Sequence, residues 1–196
     1  MHGTQDTLRR GWLALQRAAS AGRMVLFTCA LPLPDVSRMT GSLERKKNQA
    51  TLSAEDLARL LSHWNPDATR RLMTERFAAH AELWLLREQG KIAAYGWSLK
   101  EKTMEPHFFQ LRPGDVHLFD FFVFPEFRGR GLNPALVGQI LATMSREGLK
   151  RALIEAAAWN KAQLASLKKT PFQQLGIARK SFSGKPIVVW SDRSKK

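Results

Sequence analysis

One cysteine, one tyrosine, few acidic residues and no long apolar run set the first limits on this 196-residue sequence. A lone Cys29 can form neither an internal disulfide nor a cysteine-rich metal site. It sits in the apolar run 25–31, where a free thiol is expected to be buried. No stretch approaches the roughly 20 apolar residues that a membrane-spanning helix needs. The longest, residues 24–33, is broken by Thr28 and runs into Pro32 and Pro34. Arg9, Arg10, Arg17 and Arg23 fit badly with a secretory leader, and the cysteine usage suits a reducing cytoplasm, the expected location. Only 17 Asp and Glu stand against 31 Lys and Arg, a formal net charge of +14. Such a surface attracts polyanions: nucleic acid, an acidic membrane face or a phosphate-rich cofactor. The basic residues are spread along the whole chain, not gathered in one stripe with interleaved aromatics, which ranks nucleic-acid binding below the other readings. At 44% hydrophobic and 24% charged, the composition excludes wholesale disorder and its size favours a single compact domain.

Apolar spacing predicts an amphipathic helix over residues 7–19, through Leu8, Trp12, Leu15 and Ala19, and a strand over 24–31. Residues 35–50, with Gly41 and the cluster Arg45-Lys46-Lys47, read as a polar connector. Ser53, with Glu55 and Asp56 after it, caps a helix that Asn65-Pro66 ends, and a second helix starts at that proline. Strands 82–87 and 92–99 flank a tight hairpin turn at 88–91. A further strand over 116–124, a helix over about 134–146, a strand over 152–158, a mostly helical stretch over 161–175 and a closing hairpin (177–182 with 187–190) complete the order. This is a mixed α/β layout in which the strand–helix–strand unit 116–158 forces a parallel pairing. Residues 1–50 are expected to be a leading helix, strand and basic connector, 51–192 the core, and 193–196 a basic tail.

The most informative stretch is Phe121-Phe122-Val123-Phe124-Pro125-Glu126-Phe127-Arg128-Gly129-Arg130-Gly131-Leu132-Asn133-Pro134. A buried strand enters a glycine-bearing turn that opens a helix, and free amides at a helix N-terminus attract anions. A P-loop would require Gly-Lys-Ser/Thr and a dinucleotide-binding turn three spaced glycines, and both are absent. The remaining plain reading is a strand–helix turn with solvated arginines.

This stretch resembles the acetyl-CoA-binding signature of the GNAT superfamily of N-acetyltransferases: a hydrophobic strand, a proline, an aromatic, then Q/R-x-x-G-x-G/A at the start of a helix. Arg128, Gly131 and Asn133 take its three defined places, with Asn133 where a small residue is usual and Pro134 an unusual follower. The hairpin 82–99, the strand 152–160 ending in Asn160, and Leu175-Gly176-Ile177 extend the likeness over roughly residues 53–190. It implies an α/β (α+β) fold, a mixed, mostly antiparallel sheet with a splayed parallel strand pair and flanking helices. It also implies acyl transfer from acetyl-CoA, or another acyl-CoA, to an amine of an unknown acceptor in a ternary complex, without a metal. Backbone of Phe121 and Val123 would hold the pantetheine arm, and amides of Gly129, Arg130, Gly131, Leu132 and Asn133 the diphosphate. Arg128 and Arg130 would stand near the phosphates, with Asn160 either a cofactor contact, a helix cap, or both.

His117 and Asp120 are the ionisable residues in an otherwise apolar strand, so each should face a cleft or be paired. Either is a candidate base, Asp120 the favoured one, and a purely structural role stands beside that reading. Phe172 occupies the place where many members carry a proton-donating tyrosine, and the only tyrosine is Tyr95. The thiolate then leaves without an acid, a water serves, or the chain is a silent acyl-CoA-binding sensor or scaffold. By family geometry the acceptor groove lies between Trp64-Asn65-Pro66 and Ser183-Gly184-Lys185, and Trp84, Trp97, Phe108 and Phe109 either line a pocket or fill the core. The leading helix lies outside the resemblance and either forms a homodimer contact or covers the core.

Overall fold

The computed structural model of the chain describes residues 22–33, 41–104, 108, 110–180 and 186–190. The expected helix over 7–19, Phe109, the Ser183-Gly184-Lys185 turn and the basic tail lie outside the described residues. Among the described residues eight strands form one sheet in the order β2-β3-β4-β5-β6-β1-β7-β8. They are β1 (Arg23–Ala30), β2 (Ser42–Lys46), β3 (Glu82–Glu88), β4 (Lys91–Lys100), β5 (Asp115–Val123), β6 (Arg151–Ala157), β7 (Gln173–Lys180) and β8 (Pro186–Trp190). Four α-helices among the described residues accompany them: α1 (Ala54–Leu61), α2 (Pro66–Ala78), α3 (Leu132–Arg146) and α4 (Lys161–Leu167). Neighbouring strands run antiparallel except β5 and β6, which the α3 crossover joins in parallel. This is the expected mixed α/β sheet.

Local signals explain most boundaries. The Ser53 hydroxyl accepts from the Asp56 amide and caps α1, and the Asn65 side chain accepts from the Ala68 amide and caps α2. Between β3 and β4, Gln89 and Gly90 both take positive φ (50° and 77°), the mirror-image turn that matches strand twist. On α3, Leu136, Val137, Ile140, Leu141 and Met144 are wholly buried, each worth about 1.5–3 kcal/mol against exposure. Helices α1 and α2 cover the sheet face that carries Leu83, Tyr95 and Trp97, with the Phe77 ring 5.0 Å from that of Trp97. Alternate residues turn to the opposite face, where Trp84 donates to the Ser98 hydroxyl at 2.8 Å. Arg45 lies over Trp84 and pairs with Glu147, just past the end of α3, on that same side.

Two expectations need correction. Residues 42–46 are strand β2, not connector. Its charges are satisfied across the sheet: Glu44 accepts from Arg87 at 2.6 Å, and Arg45 pairs with Glu82. A charged strand is ordinary at a sheet edge, which must resist further pairing. The stretch 161–175 is helical only to Leu167; the chain then turns and β7 begins at Gln173, ahead of the expected 177. Pro171 is the cause, since the residue before a proline disfavours helical backbone and proline itself lacks a donor.

Candidate active site

Parallel pairing of β5 with β6 starts at Asp115↔Arg151 and stops at Leu118↔Ile154. Beyond that point the two strands separate, leaving residues 119–123 with one unpaired edge. The amide of Phe124 donates to the Ala93 carbonyl on β4 at 3.0 Å. Because amides alternate along a strand, those of Val123 and Phe121 point the other way, into the gap.

The start of α3 closes one end of this gap. Gly131, at φ 75°, is its N-cap and no side chain caps it; Gly129 has φ 80°. Left-handed backbone at both positions suits glycine, and a Cβ at either would meet no atom within 4 Å, so the turn borders open space. No acidic residue occupies the first turn, and the helix dipole there favours an anion. Pro134 costs the turn one amide donor, which a first turn tolerates.

Gap and turn together make a cleft of about 460 Å³ lined by Phe121, Val123, Arg128, Gly129, Gly131, Leu132, Asn133 and Asn160, with Gln163, Ser166 and Lys169 opposite. The structure thus brings the expected cofactor residues together, with Arg130 the exception. Its guanidinium pairs outward with Glu88 at 3.3 Å and lies over Phe127. Arg128 Nε donates to the Val123 carbonyl at 3.1 Å, which places its charge at the gap mouth. Asn133 Nδ2 donates to Gln163 Oε1 and Ser166 Oγ, both at 2.9 Å, tying the α3 start to α4. Asn160 accepts from the Gln163 amide at 3.1 Å and caps α4.

The two candidate bases part company. His117 is 1% exposed, hydrogen-bonded to Glu155 at 2.8 Å and stacked on Phe119. Asp120 is half-exposed and paired with Arg76 at 2.6 Å. A bulge sets its direction: Trp97 pairs with Phe119 and Tyr95 with Phe122, so Asp120 and Phe121 share the single position opposite Gly96. Strict alternation would send Phe119 and Asp120 to opposite faces, yet Arg76 lies over the Phe119 ring and binds Asp120. The positive φ of Asp120, 51°, makes this possible.

Asp120 thereby lines a second pocket, of about 270 Å³, on the α1/α2 face. Trp64, Leu72, Tyr95 and Trp97 border it. The Tyr95 hydroxyl and His63 Nε2 are 2.9 Å apart, and the His63 ring stacks on Phe122 at 4.1 Å. Burial holds the His63 pKa below the ordinary value, against the nearby Asp120 charge, and burial, aided by Asp120, pushes the Tyr95 phenol up. Sequence reasoning missed Arg76 and His63. Nothing local marks Arg76, whereas the Ser62-His63-Trp64-Asn65 junction between two helices could have flagged His63. Trp84 and Phe108 are core, Trp97 is both core and pocket wall, and buried Phe172 offers no proton. Among the described residues, no group of three or more His, Cys, Asp or Glu is placed to hold a metal ion, and no helix is long and apolar enough to cross a membrane.

A model of the acetyltransferase (GNAT) family matches residues 50–170. Among solved structures, the chain resembles a GNAT-family protein from Novosphingobium aromaticivorans DSM 12444, with 17% identity, a TM-score of 0.54, and coverage of 80% of this chain and 61% of that one. It also resembles a GNAT-family acetyltransferase from Colwellia psychrerythraea (13%, 0.58, 78% and 53%). A third likeness is to AAC(6')-Iy in complex with the bisubstrate analogue CoA-S-monomethyl-acetylneamine (14%, 0.51, 78% and 97%). The chain spans less than two thirds of the first two structures. At these identities the likeness is one of fold. No curated protein matches the sequence.

Proposed function

The chain belongs to the GNAT family of acetyltransferases, and we propose that it transfers an acetyl group from acetyl-CoA to an amine by direct attack in a ternary complex. The observation that carries this reading is the β5–β6 gap, which runs into the uncapped start of α3 as one cleft. Acetyl-CoA, when bound, supplies an acyl group activated as a thioester. Backbone of Phe121 and Val123 pairs with the pantetheine arm as a strand would, and the amides of residues 129–133 hold the diphosphate, with Arg128 beside it. The empty space around Gly129 and Gly131 suits that close approach. The Val123 amide, pointing into the gap, stabilises the oxyanion.

Asp120 is the base in this reading, since it borders the acceptor pocket and directly precedes the gap-lining residues, while His117 is enclosed with Glu155. The acceptor ammonium gives one proton to the Asp120 carboxylate. The nitrogen–carbon bond then forms as the carbonyl π pair moves onto oxygen, and the resulting oxyanion collapses with cleavage of the carbon–sulfur bond. Sulfur leaves as thiolate with the bonding pair, and the second nitrogen proton passes to solvent. A position in the cytoplasm agrees with this chemistry.

Two measurements test the proposal. Acetyl-CoA at a hundredfold excess over its Kd should stabilise the protein by about 2.7 kcal/mol, roughly 5–10 °C in Tm for a domain of this size. The shift should outlast moderate salt and exceed that given by ATP. No shift with acetyl-CoA or CoA, beside a salt-sensitive one with duplex DNA, would sink the reading. Asp120→Asn should then lower turnover by roughly 10²–10⁴-fold with acetyl-CoA affinity unchanged. A silent acyl-CoA-binding module, the reading that Phe172 favours, would show the thermal shift and no turnover in either protein.

A further inference from the structure

The pocket beside Asp120 has a chemical character that restricts what the acceptor can be. Its walls are Leu60, Trp64, Leu72, Met73, Tyr95 and Trp97, and among the described residues the only charged groups lining it, Arg76 and Asp120, pair with each other at 2.6 Å. A site for a polycation would present several carboxylates, and the overall +14 charge repels such a ligand as well. The volume, about 270 Å³, lies near the lower end of ligand pockets (roughly 300–1,000 Å³) and exceeds the roughly 150 Å³ of a cavity that takes benzene. Four large hydrophobics among the described residues are exposed, and two of them, Trp64 (63%) and Leu72 (44%), border this pocket. Apolar surface left open at a concavity is characteristic of a ligand site.

We infer that the acceptor is a primary amine carried on a compact apolar group, up to a bicyclic aromatic in size, and not a polyamine or a basic peptide. This rests on the proposed acyl transfer. The apolar body lies between α2 and the Tyr95–Trp97 wall, and the ammonium reaches the Asp120 carboxylate, from which the bulge leads directly to Phe121 and the gap. The protein's positive charge then matters for the diphosphate side and not for the acceptor.

The test uses the full-length protein, with CoA-thiol release measured for 2-phenylethylamine, tryptamine, spermidine and a lysine-rich peptide. Calorimetry follows binding of 2-phenylethylamine and of acetyl-CoA separately. The two aryl amines should show kcat/KM at least tenfold above spermidine and the peptide. Leu72→Glu and Trp64→Ala alter exposed side chains, so folding is spared; each should cut the aryl-amine advantage at least tenfold and leave the acetyl-CoA Kd unchanged. Equal or faster turnover of spermidine or the peptide overturns the inference, as does an aryl-amine advantage that survives both substitutions. Acetyl-CoA binding with no turnover and no calorimetric signal from 2-phenylethylamine also overturns it. Failure to bind acetyl-CoA instead defeats the transfer reading, and 2-phenylethylamine binding that is lost in Trp64→Ala still upholds the pocket.

Discussion

Asp120 holds its place against the ordinary backbone preference of an L-residue, at φ 51° in the middle of an edge-paired strand. Such a conformation costs on the order of 1–2 kcal/mol, and Arg76 on α2 offsets part of it through a short ion pair. Arg76→Met should therefore loosen Asp120 and raise KM for the amine several-fold, read by steady-state kinetics, while the acetyl-CoA Kd stays fixed. Gly131→Ala meets no atom within 4 Å but must adopt φ 75°. Its expected cost is about 1 kcal/mol in chemical denaturation, with weaker acetyl-CoA binding because the new methyl group stands in the proposed diphosphate site. His63 carries a pH signature. Burial lowers its pKa in the folded protein, so between the two values the unfolded chain binds more protons. Stability is then full above the unfolded value of about 6.5 and falls as pH drops through it. Urea titrations from pH 7.5 to 5 should show a shallower fall in His63→Gln. Cys29, pushed up to about 11 by burial, should resist alkylation at pH 8 until the protein is unfolded.

Elements show what the sequence made legible and what it could not. The stretch from Phe121 to Pro134 was readable because its constraints are local: glycine where φ is positive, and a helix beginning where the strand ends. The turn at Gln89-Gly90 and the caps Ser53 and Asn65 were readable for the same reason. Strand β2 was not, since Glu82, Arg87 and Glu147, all far along the chain, turn its charges into pairs. The bulge in β5 escaped too; it is a relation between Gly96 and two residues of another strand. Likewise the Arg76–Asp120 pair spans 44 positions and leaves no local trace. That bulge has a consequence at Gly96, where an added Cβ would fall 2.5 Å from the Phe121 ring. Gly96→Ala should push this ring toward the cleft, so acetyl-CoA affinity should drop by more than the loss of stability alone explains, as calorimetry beside thermal unfolding would reveal.

Across the whole molecule, one carboxylate fastens the parallel pair from which the gap opens. Asp115 is buried; burial pushes its pKa up, but hydrogen bonds from the Arg151 side chain and the Arg112 amide outweigh this and hold it below the usual value. The sheet layout carries a further consequence. β1 lies between β6 and β7, with Ala30 beside Arg151 and Arg23 beside Arg179. Its β6 partners leave the ribosome roughly 120–135 residues after it does and its β7 partners roughly 145–155 after, which at roughly 5–20 residues per second is a delay of some 6–31 s. Throughout that interval the apolar segment Val25-Leu26-Phe27 has no native partner, a state that favours aggregation or chaperone capture. The sheet can close only after β6 and β7 have emerged, so folding during synthesis should complete late and in one step.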